Sequence, residues 1–113
     1  MGNTVAHRFL HIGCLFPTYP KTDALDRTLN LEAPDWIRYA FNNWIVWTDA
    51  TPAELYMKLR PWLAQDDHVL IIEINAHQRY GWMAPWVWKW IDDKISGKDT
   101  SISELLKLLP PQP

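Results

Sequence analysis

Histidines and acidic residues near both ends of the predicted core could bind a metal ion. His7 and His11 are spaced so that both would lie on one side of a helix or of a strand. His68, which follows Asp66 and Asp67, could complete such a site only if the fold brought it close to the first two. Two histidines make an incomplete ligand set, and ordinary positions at strand edges explain them more simply. We therefore expect neither a metal nor a cofactor.

The other reactive side chains do not form a catalytic pattern either. The segment His77-Gln78-Arg79-Tyr80 contains groups capable of proton transfer or anion contact, but no nucleophile lies at a fixed spacing from it. A solvated loop is the simpler interpretation, and Asp66-Asp67 is typical of a turn. Cys14, the single cysteine, is expected to be a small buried apolar residue. We predict no catalytic residues, so the chain is more consistent with a binding protein than with an enzyme.

The composition limits the protein class. A chain of 113 residues with 48% hydrophobic residues fits one domain with one core. The net charge of −2 is spread along the chain, which disfavours nucleic-acid binding by charge alone. A lone cysteine is typical of a reducing compartment, and the sequence shows neither a secretion signal nor an apolar run of about 20 residues that could cross a membrane. We expect a cytoplasmic protein.

Hydrophobic patterns and turn residues predict an α+β fold. Four strand-like segments alternate with two helical ones in the order βαββαβ, the split arrangement of ferredoxin-like domains, with both helices on one face of an antiparallel sheet. The predicted core spans 1–76, and a tryptophan-rich helical extension, 77–113, packs on or beside it in a single domain. The predicted strands are 7–16, 36–41, 44–48 and 68–75, and the predicted helices begin at Thr22 and Thr51.

The second and third strands are predicted to form a hairpin whose turn is Asn42-Asn43, because asparagine tolerates the positive φ angles of a two-residue turn. With this turn, Phe41 faces Trp44 and Tyr39 faces Val46 on one side of the sheet. The opposite side then carries the following residues: Trp36, Arg38, Ala40, Ile45 and Trp47.

The second helix has the clearest start signal. Thr51-Pro52-Ala53-Glu54 matches a capping box with proline at the first helical position. Pro61 predicts a kink or an early end. The strand that follows is a nearly continuous apolar run, so we expect both of its faces to be covered. The predicted buried residues of this helix are Leu55, Leu59, Trp62 and Leu63.

The carboxy-terminal extension is predicted to contain two helices. The first begins near Pro85, and Gly97 separates it from a second capping-box match at Ser101. That second helix would carry a leucine stripe and end at Pro110. The stripe could pack back on the chain or lie in a groove of a partner.

Three segments carry a resemblance to a known family: 43–48, 51–63 and 66–74. Together they resemble SinR-like proteins, which are similar to the small ferredoxin-like CRISPR-associated nuclease and integration subunit. The resemblance implies a βαββαβ fold and a homodimer formed through the sheets. In the nuclease branch a metal-binding aspartate follows the first strand, and here Cys14 lies nearest that place. A thiol is a poor ligand for magnesium, so nuclease activity is not expected.

Eight tryptophans exceed what one small core accommodates, so some should form a binding surface. The second sheet face could be covered by the segment 82–91, by a second copy of the chain or by another macromolecule. We expect a noncatalytic interaction module that forms a homodimer and binds or inhibits a protein partner, as a small inhibitor carried by a phage or mobile element would. The alternative is a nucleic-acid-binding protein or a degenerate metal-dependent nuclease of the SinR-like class. The candidate partner-binding residues are Trp36, Arg38, Ile45, Trp47, Trp88, Leu105 and Leu109.

Overall fold

A computed structural model describes residues 6–97 of the chain. These residues form four strands, three α-helices and one short 3₁₀ helix, which makes the fold mixed α+β as predicted. The chain divides into two compact units, Met1–Ile74 and Asn75–Pro113. The elements are β1 (Arg8–Leu15), α1 (Thr22–Glu32), β2 (Asp35–Ala40), β3 (Asn43–Thr48), α2 (Pro52–Leu59), the 3₁₀ helix (Arg60–Trp62), β4 (His68–Ile74) and α3 (Pro85–Ser96).

The four strands form one antiparallel sheet in the first unit. The strand order is β2-β3-β1-β4, so β1 lies between β3 and β4. Consecutive side chains on a strand point to opposite faces, and even-numbered residues of β1 and β3 therefore share a face. That face carries Leu10, Ile12, Trp44 and Val46, which pack with leucines of both α1 and α2. We call it the helix face, and we call the opposite side the second face.

The core on the helix face is anchored by a buried tryptophan. Trp44 is completely buried, and its indole Nε1–H donates a 2.8 Å hydrogen bond to the Oδ1 atom of Asp26 on α1. The Oδ2 atom of the same carboxylate lies 3.3 Å from the Nε atom of Arg38 on β2. Asp26 therefore connects α1 to both strands of the hairpin.

The predicted hairpin register is wrong. The turn lies at Phe41-Asn42, and the strands pair so that Trp36 faces Val46 and Arg38 faces Trp44, with a register shift between Arg38 and Ala40. None of the non-glycine residues in 6–97 has a positive φ angle, so the turn does not use the conformation that asparagine was expected to supply. This change of register moves Trp36 and Arg38 to the helix face, where they contact α1.

Helix α2 begins as predicted. The Thr51 Oγ1 atom accepts a hydrogen bond from the Glu54 backbone N–H, and the Glu54 carboxylate accepts one from the Thr51 backbone N–H. The α-helix ends at Leu59, and the following 3₁₀ turn contains Pro61, as the sequence predicted. Trp62 is half-exposed and does not extend the buried stripe formed by Leu55 and Leu59, because the chain has left α-helical geometry before it.

The expectation that both faces of β4 are covered is wrong. β4 is the last strand in the sheet order, and Leu70 and Ile72 are 63% and 50% exposed on the second face. Val69 and Ile71, on the helix face, pack against the core. An apolar run of strand length is therefore compatible with an edge strand of which only one face is packed.

Helices α1 and α3 follow the predictions more closely. α1 begins at Thr22, but the N-cap residue is Lys21 and no side chain caps the helix; the Thr22 hydroxyl contacts Asn42 instead. α3 has Pro85 at its start and ends at Gly97, whose φ of 73° is the left-handed conformation that favours glycine. The predicted helix beginning at Ser101 lies outside the described residues.

Candidate functional site

An exposed aromatic segment precedes α3 in the second unit. Tyr80 and Trp82 are 104% and 99% exposed, and Met83 is also exposed. We call residues 80–83 the aromatic segment. Arg79 anchors its start, because its Nη1 donates a 2.8 Å hydrogen bond to the carbonyl of Ala76 and its Nη2 forms an ion pair with Asp92 of α3. The rings are therefore presented from a segment fixed to the helix at one end.

The aromatic segment and the start of α3 form an open groove of about 660 Å³, which we call the aromatic groove. Trp88 lies one turn into α3 and lines the groove together with Trp82, so the fold places one predicted candidate, Trp88, at this site. Gly81 has a φ of 155°, a conformation that other residues rarely adopt. The lining residues carry no formal charge: Gly81, Trp82, Met83, Ala84, Pro85 and Trp88.

Two other predicted candidates, Trp36 and Arg38, lie on the helix face instead of on the surface proposed for them. The indole Nε1–H of Trp36 donates a 3.0 Å hydrogen bond to the side-chain oxygen of Asn30 on α1. Arg38 is paired with Asp26. Both residues therefore fasten the hairpin to α1, a role that the predicted register had not assigned to them.

Ile45 and Trp47 lie on the second face. Ile45 is buried, as are Phe9 and Ile37 on the same face. Trp47 is half-buried, with its ring stacked 5.4 Å from that of His7 and tilted 4.8 Å from that of Phe9. The centre of the second face is therefore closed to a partner, although its β4 side is open. The last two candidates, Leu105 and Leu109, lie outside the described residues.

A polar cluster lies beyond the end of β1. The Asp67 side chain is 0% exposed, and its Oδ2 atom accepts hydrogen bonds from Lys21 Nζ and from the Ala64 backbone N–H, each 2.7 Å long. Burial opposes ionisation of this carboxyl, but the two hydrogen bonds and the lysine charge outweigh it and hold its pKa below the usual value. Asp67 is therefore a buried, ionised partner of Lys21.

Cys14 is close to this cluster but is not prepared for nucleophilic chemistry. Burial, together with the negative charge of Asp67, raises the pKa of the Cys14 thiol to about 12. A nucleophilic or metal-binding cysteine needs its thiolate form, which this environment disfavours. The thiol is half-buried and packs against the core.

The histidines on β1 and just before it contact aromatic residues. His11 Nε2 and the Tyr39 hydroxyl are 2.7 Å apart on the second face, and burial lowers the pKa of His11 and raises that of Tyr39. His7 stacks on Trp47. Within residues 6–97 no three histidine, cysteine or acidic side chains come close enough together to hold a metal ion.

The sequence predicted a surplus of aromatic surface, and one of its candidates, Trp88, lines the aromatic groove. The residues it missed are Tyr80 and Trp82, together with the exposed aliphatic residues Leu15, Leu70 and Ile72. The signal for the first two was present: a glycine between two aromatic residues, immediately before a helix that starts with proline. The aliphatic residues could not be found without knowing that β4 is an edge strand.

Comparisons with family models, with curated proteins and with solved structures find no match to this chain. None of the helices within 6–97 has both the length and the apolar character needed to cross a membrane.

Proposed function

We propose that this chain is a noncatalytic protein-interaction module that binds or inhibits a protein partner through the aromatic groove. The observation that carries this proposal is the complete exposure of Trp82 and Tyr80 on a segment fixed to α3 by Arg79. Large aromatic side chains are costly to leave in water and dominate the binding energy of many protein interfaces. A small inhibitor carried by a phage or mobile element would have this form.

The chemistry of the groove supports binding over catalysis. Its lining contains no side chain that titrates near neutral pH and no nucleophile, so it has no group for proton transfer or covalent chemistry. It also has no charged group to select a phosphate or a carboxylate. An apolar side chain of a protein partner, seated between Trp82 and Trp88, is the ligand that this lining fits.

We further propose that the first unit has the ferredoxin-like arrangement expected of a SinR-like protein. Support comes from the order β1-α1-β2-β3-α2-β4 and from the position of β1 between β3 and β4. In addition, α1 and α2 both contribute leucines to the cluster on the helix face. This scaffold accounts for the fold of the first unit, whereas the proposed binding site belongs to the second.

The proposal is tested by capture of partners from a native host lysate on the immobilised protein, followed by affinity measurement with the purified partner. Trp82→Ala removes an exposed ring, and we expect it to weaken binding at least about tenfold, since truncating a central aromatic residue of an interface typically costs about 2 kcal/mol or more. The matched control is Trp62→Ala, which truncates a half-exposed tryptophan of the first unit. Equal binding by the two variants would contradict the proposal.

A second candidate function, nucleic-acid binding, is favoured by one cleft of about 470 Å³ at the start of α1. Arg27 lines it and could contact a phosphate, and Phe41 lines it and could stack on a base. Arg38 lines it as well but is already paired with Asp26. The net charge of −2 weakens this candidate. Salt-dependent retention of single-stranded RNA that is lost in Arg27→Ala would favour it over the first.

A further inference from the structure

The outer edge of β4 is available for pairing with another strand. No other strand within residues 6–97 pairs with this edge. In the same part of the chain, none of the backbone hydrogen bonds formed outside helices and strands involves residues 68–74. A seven-residue strand therefore presents a row of peptide N–H and C=O groups, which is a template for adding a strand.

The two edges of the sheet differ in how they are protected. At the opposite edge, β2 follows Pro34 and has a register shift between Arg38 and Ala40, and such irregularities discourage pairing with another chain. The pairing of β4 with β1 is continuous from His68 to Ile74, and β4 contains no proline. The β4 edge is thus regular along its whole length.

Exposed aliphatic side chains accompany this open edge. Leu70 and Ile72 lie on the second face of β4, and the exposed Leu15 lies on the same face of β1, whose register places it opposite His68. We call Leu15, Leu70 and Ile72 the β4 edge patch. The patch needs apolar cover that the described residues do not provide.

We propose that a second copy of this chain covers the β4 edge patch by antiparallel pairing of β4 with β4 about a two-fold axis at Ile71. In this register Leu70 of each copy faces Ile72 of the other, so four aliphatic side chains meet on the second face. Val69 faces Glu73 and His68 faces Ile74, and therefore no like charges face each other. The register also uses all seven residues of the strand.

This self-complementarity is the reason to assign a second copy instead of an unrelated strand. Moving the axis to Leu70 places Asp67 opposite Glu73, a like-charge contact at the end of the strand. Moving it to Ile72 leaves both His68 and Val69 unpaired within β4. The proposal goes beyond the proposed function because it uses a surface of the first unit, distinct from the aromatic groove.

The first test is the oligomeric state of the full chain, measured by sedimentation equilibrium at increasing concentration. We expect a dimer whose dissociation constant rises at least about tenfold in Leu70→Lys, because a charge is then placed inside the apolar contact. The control is Leu31→Lys, which makes the same substitution at an exposed leucine of α1. A wild-type protein that stays monomeric at about 0.5 mM would overturn the proposal, as would equal dimerisation of the two variants.

The second test resolves the register and does not depend on the lysine variant folding. Equal amounts of Leu70→Cys and Ile72→Cys proteins are mixed under mild oxidation, and we expect the disulfide-linked heterodimer to exceed either homodimer by well over the roughly twofold ratio of random pairing, since facing residues have the Cα separation that a disulfide requires. Leu31→Cys serves as the control for random collision. Dimerisation without this preferred cross-link would overturn the register. A negative result in either test does not affect the binding measurement with Trp82→Ala. The dimer proposal and the proposed function can therefore be refuted independently.

Discussion

Loss of the ion pair between Lys21 and Asp67 should lower the unfolding free energy of the protein. Lys21→Met keeps most of the aliphatic stem but removes the charge 2.7 Å from a carboxylate that is 0% exposed. The Oδ1 atom of Asp67 already has no hydrogen-bond partner within residues 6–97, so after this substitution the Ala64 backbone N–H is the remaining hydrogen-bond donor to the carboxylate in that part of the chain. Lys21 is partly exposed and the Ala64 hydrogen bond remains, so we expect a loss of about 1–3 kcal/mol of unfolding free energy at pH 7.

The pH dependence should be weaker in the variant than in the wild type. In the wild type the pKa of Asp67 is held below its usual value, so the carboxyl contributes stability above about pH 3.9 that is lost as the pH falls. In Lys21→Met the lysine no longer lowers this pKa, whereas the Ala64 hydrogen bond remains, so we expect the folded-state pKa to rise towards that of the unfolded chain. The difference in stability between the two proteins should then shrink as the pH falls and the carboxyl is protonated in both.

Both effects are measured by urea unfolding, monitored by circular dichroism at several pH values between about 3 and 7, which lie on both sides of the ordinary carboxyl pKa. The control is Lys58→Met, because the Lys58–Glu32 pair is 3.6 Å apart and exposed, so its loss should cost about 0–1 kcal/mol. Equal losses in the two variants at pH 7 would refute the reasoning. So would a Lys21→Met deficit that stays constant as the pH is lowered.

Two further predictions concern residues whose environments are equally well defined. Thr51→Ala removes the capping hydrogen bond to the Glu54 backbone and should lower the unfolding free energy by about 1 kcal/mol. Thr51→Ser keeps a hydroxyl and should lower it by only a few tenths of a kcal/mol. Equal losses of unfolding free energy in the two variants, measured by urea titration, would argue against the cap. Cys14, with a pKa of about 12, should be thiolate to only about one part in 10⁴ at pH 8 and should react with an aromatic disulfide reagent far more slowly in the folded protein than in urea. Comparable rates in the two states would show that the thiol is not shielded.

Local signals in the sequence were sufficient to predict the ends of elements that are determined by neighbouring residues. The capping box at Thr51 and the stop near Pro61 both occur as predicted, because they depend on backbone groups a few residues apart. The hairpin register could not be obtained in this way, since it depends on contacts of Trp36 and Arg38 with α1. Likewise, an apolar run cannot show whether its strand lies at the centre or the edge of a sheet.

The composition predicted exposed aromatic residues but did not identify which tryptophans are exposed, apart from the candidate Trp88, which lines the aromatic groove. A surplus of tryptophan indicated a binding surface, yet the indoles of Trp36 and Trp44 are hydrogen-bonded to polar side chains of α1. Trp82 is exposed on a segment whose start is fixed by the pairing of Arg79 with Asp92, across 13 residues of the chain. The composition therefore gave the number of aromatic residues available, while long-range pairs decide which of them reach the surface.

The carboxylate of Asp26 affects both the pairing of the hairpin strands during folding and the substitutions that the chain tolerates. Because it holds the indole of Trp44 with one oxygen and the guanidinium of Arg38 with the other, the register of the hairpin is stabilised by a helix that precedes it in the chain. An isolated peptide of the hairpin would lack that information and could sample slipped pairings. In related sequences, a change at any one of these three positions should be accompanied by changes at the other two, because the pairing of the strands depends on all of them together.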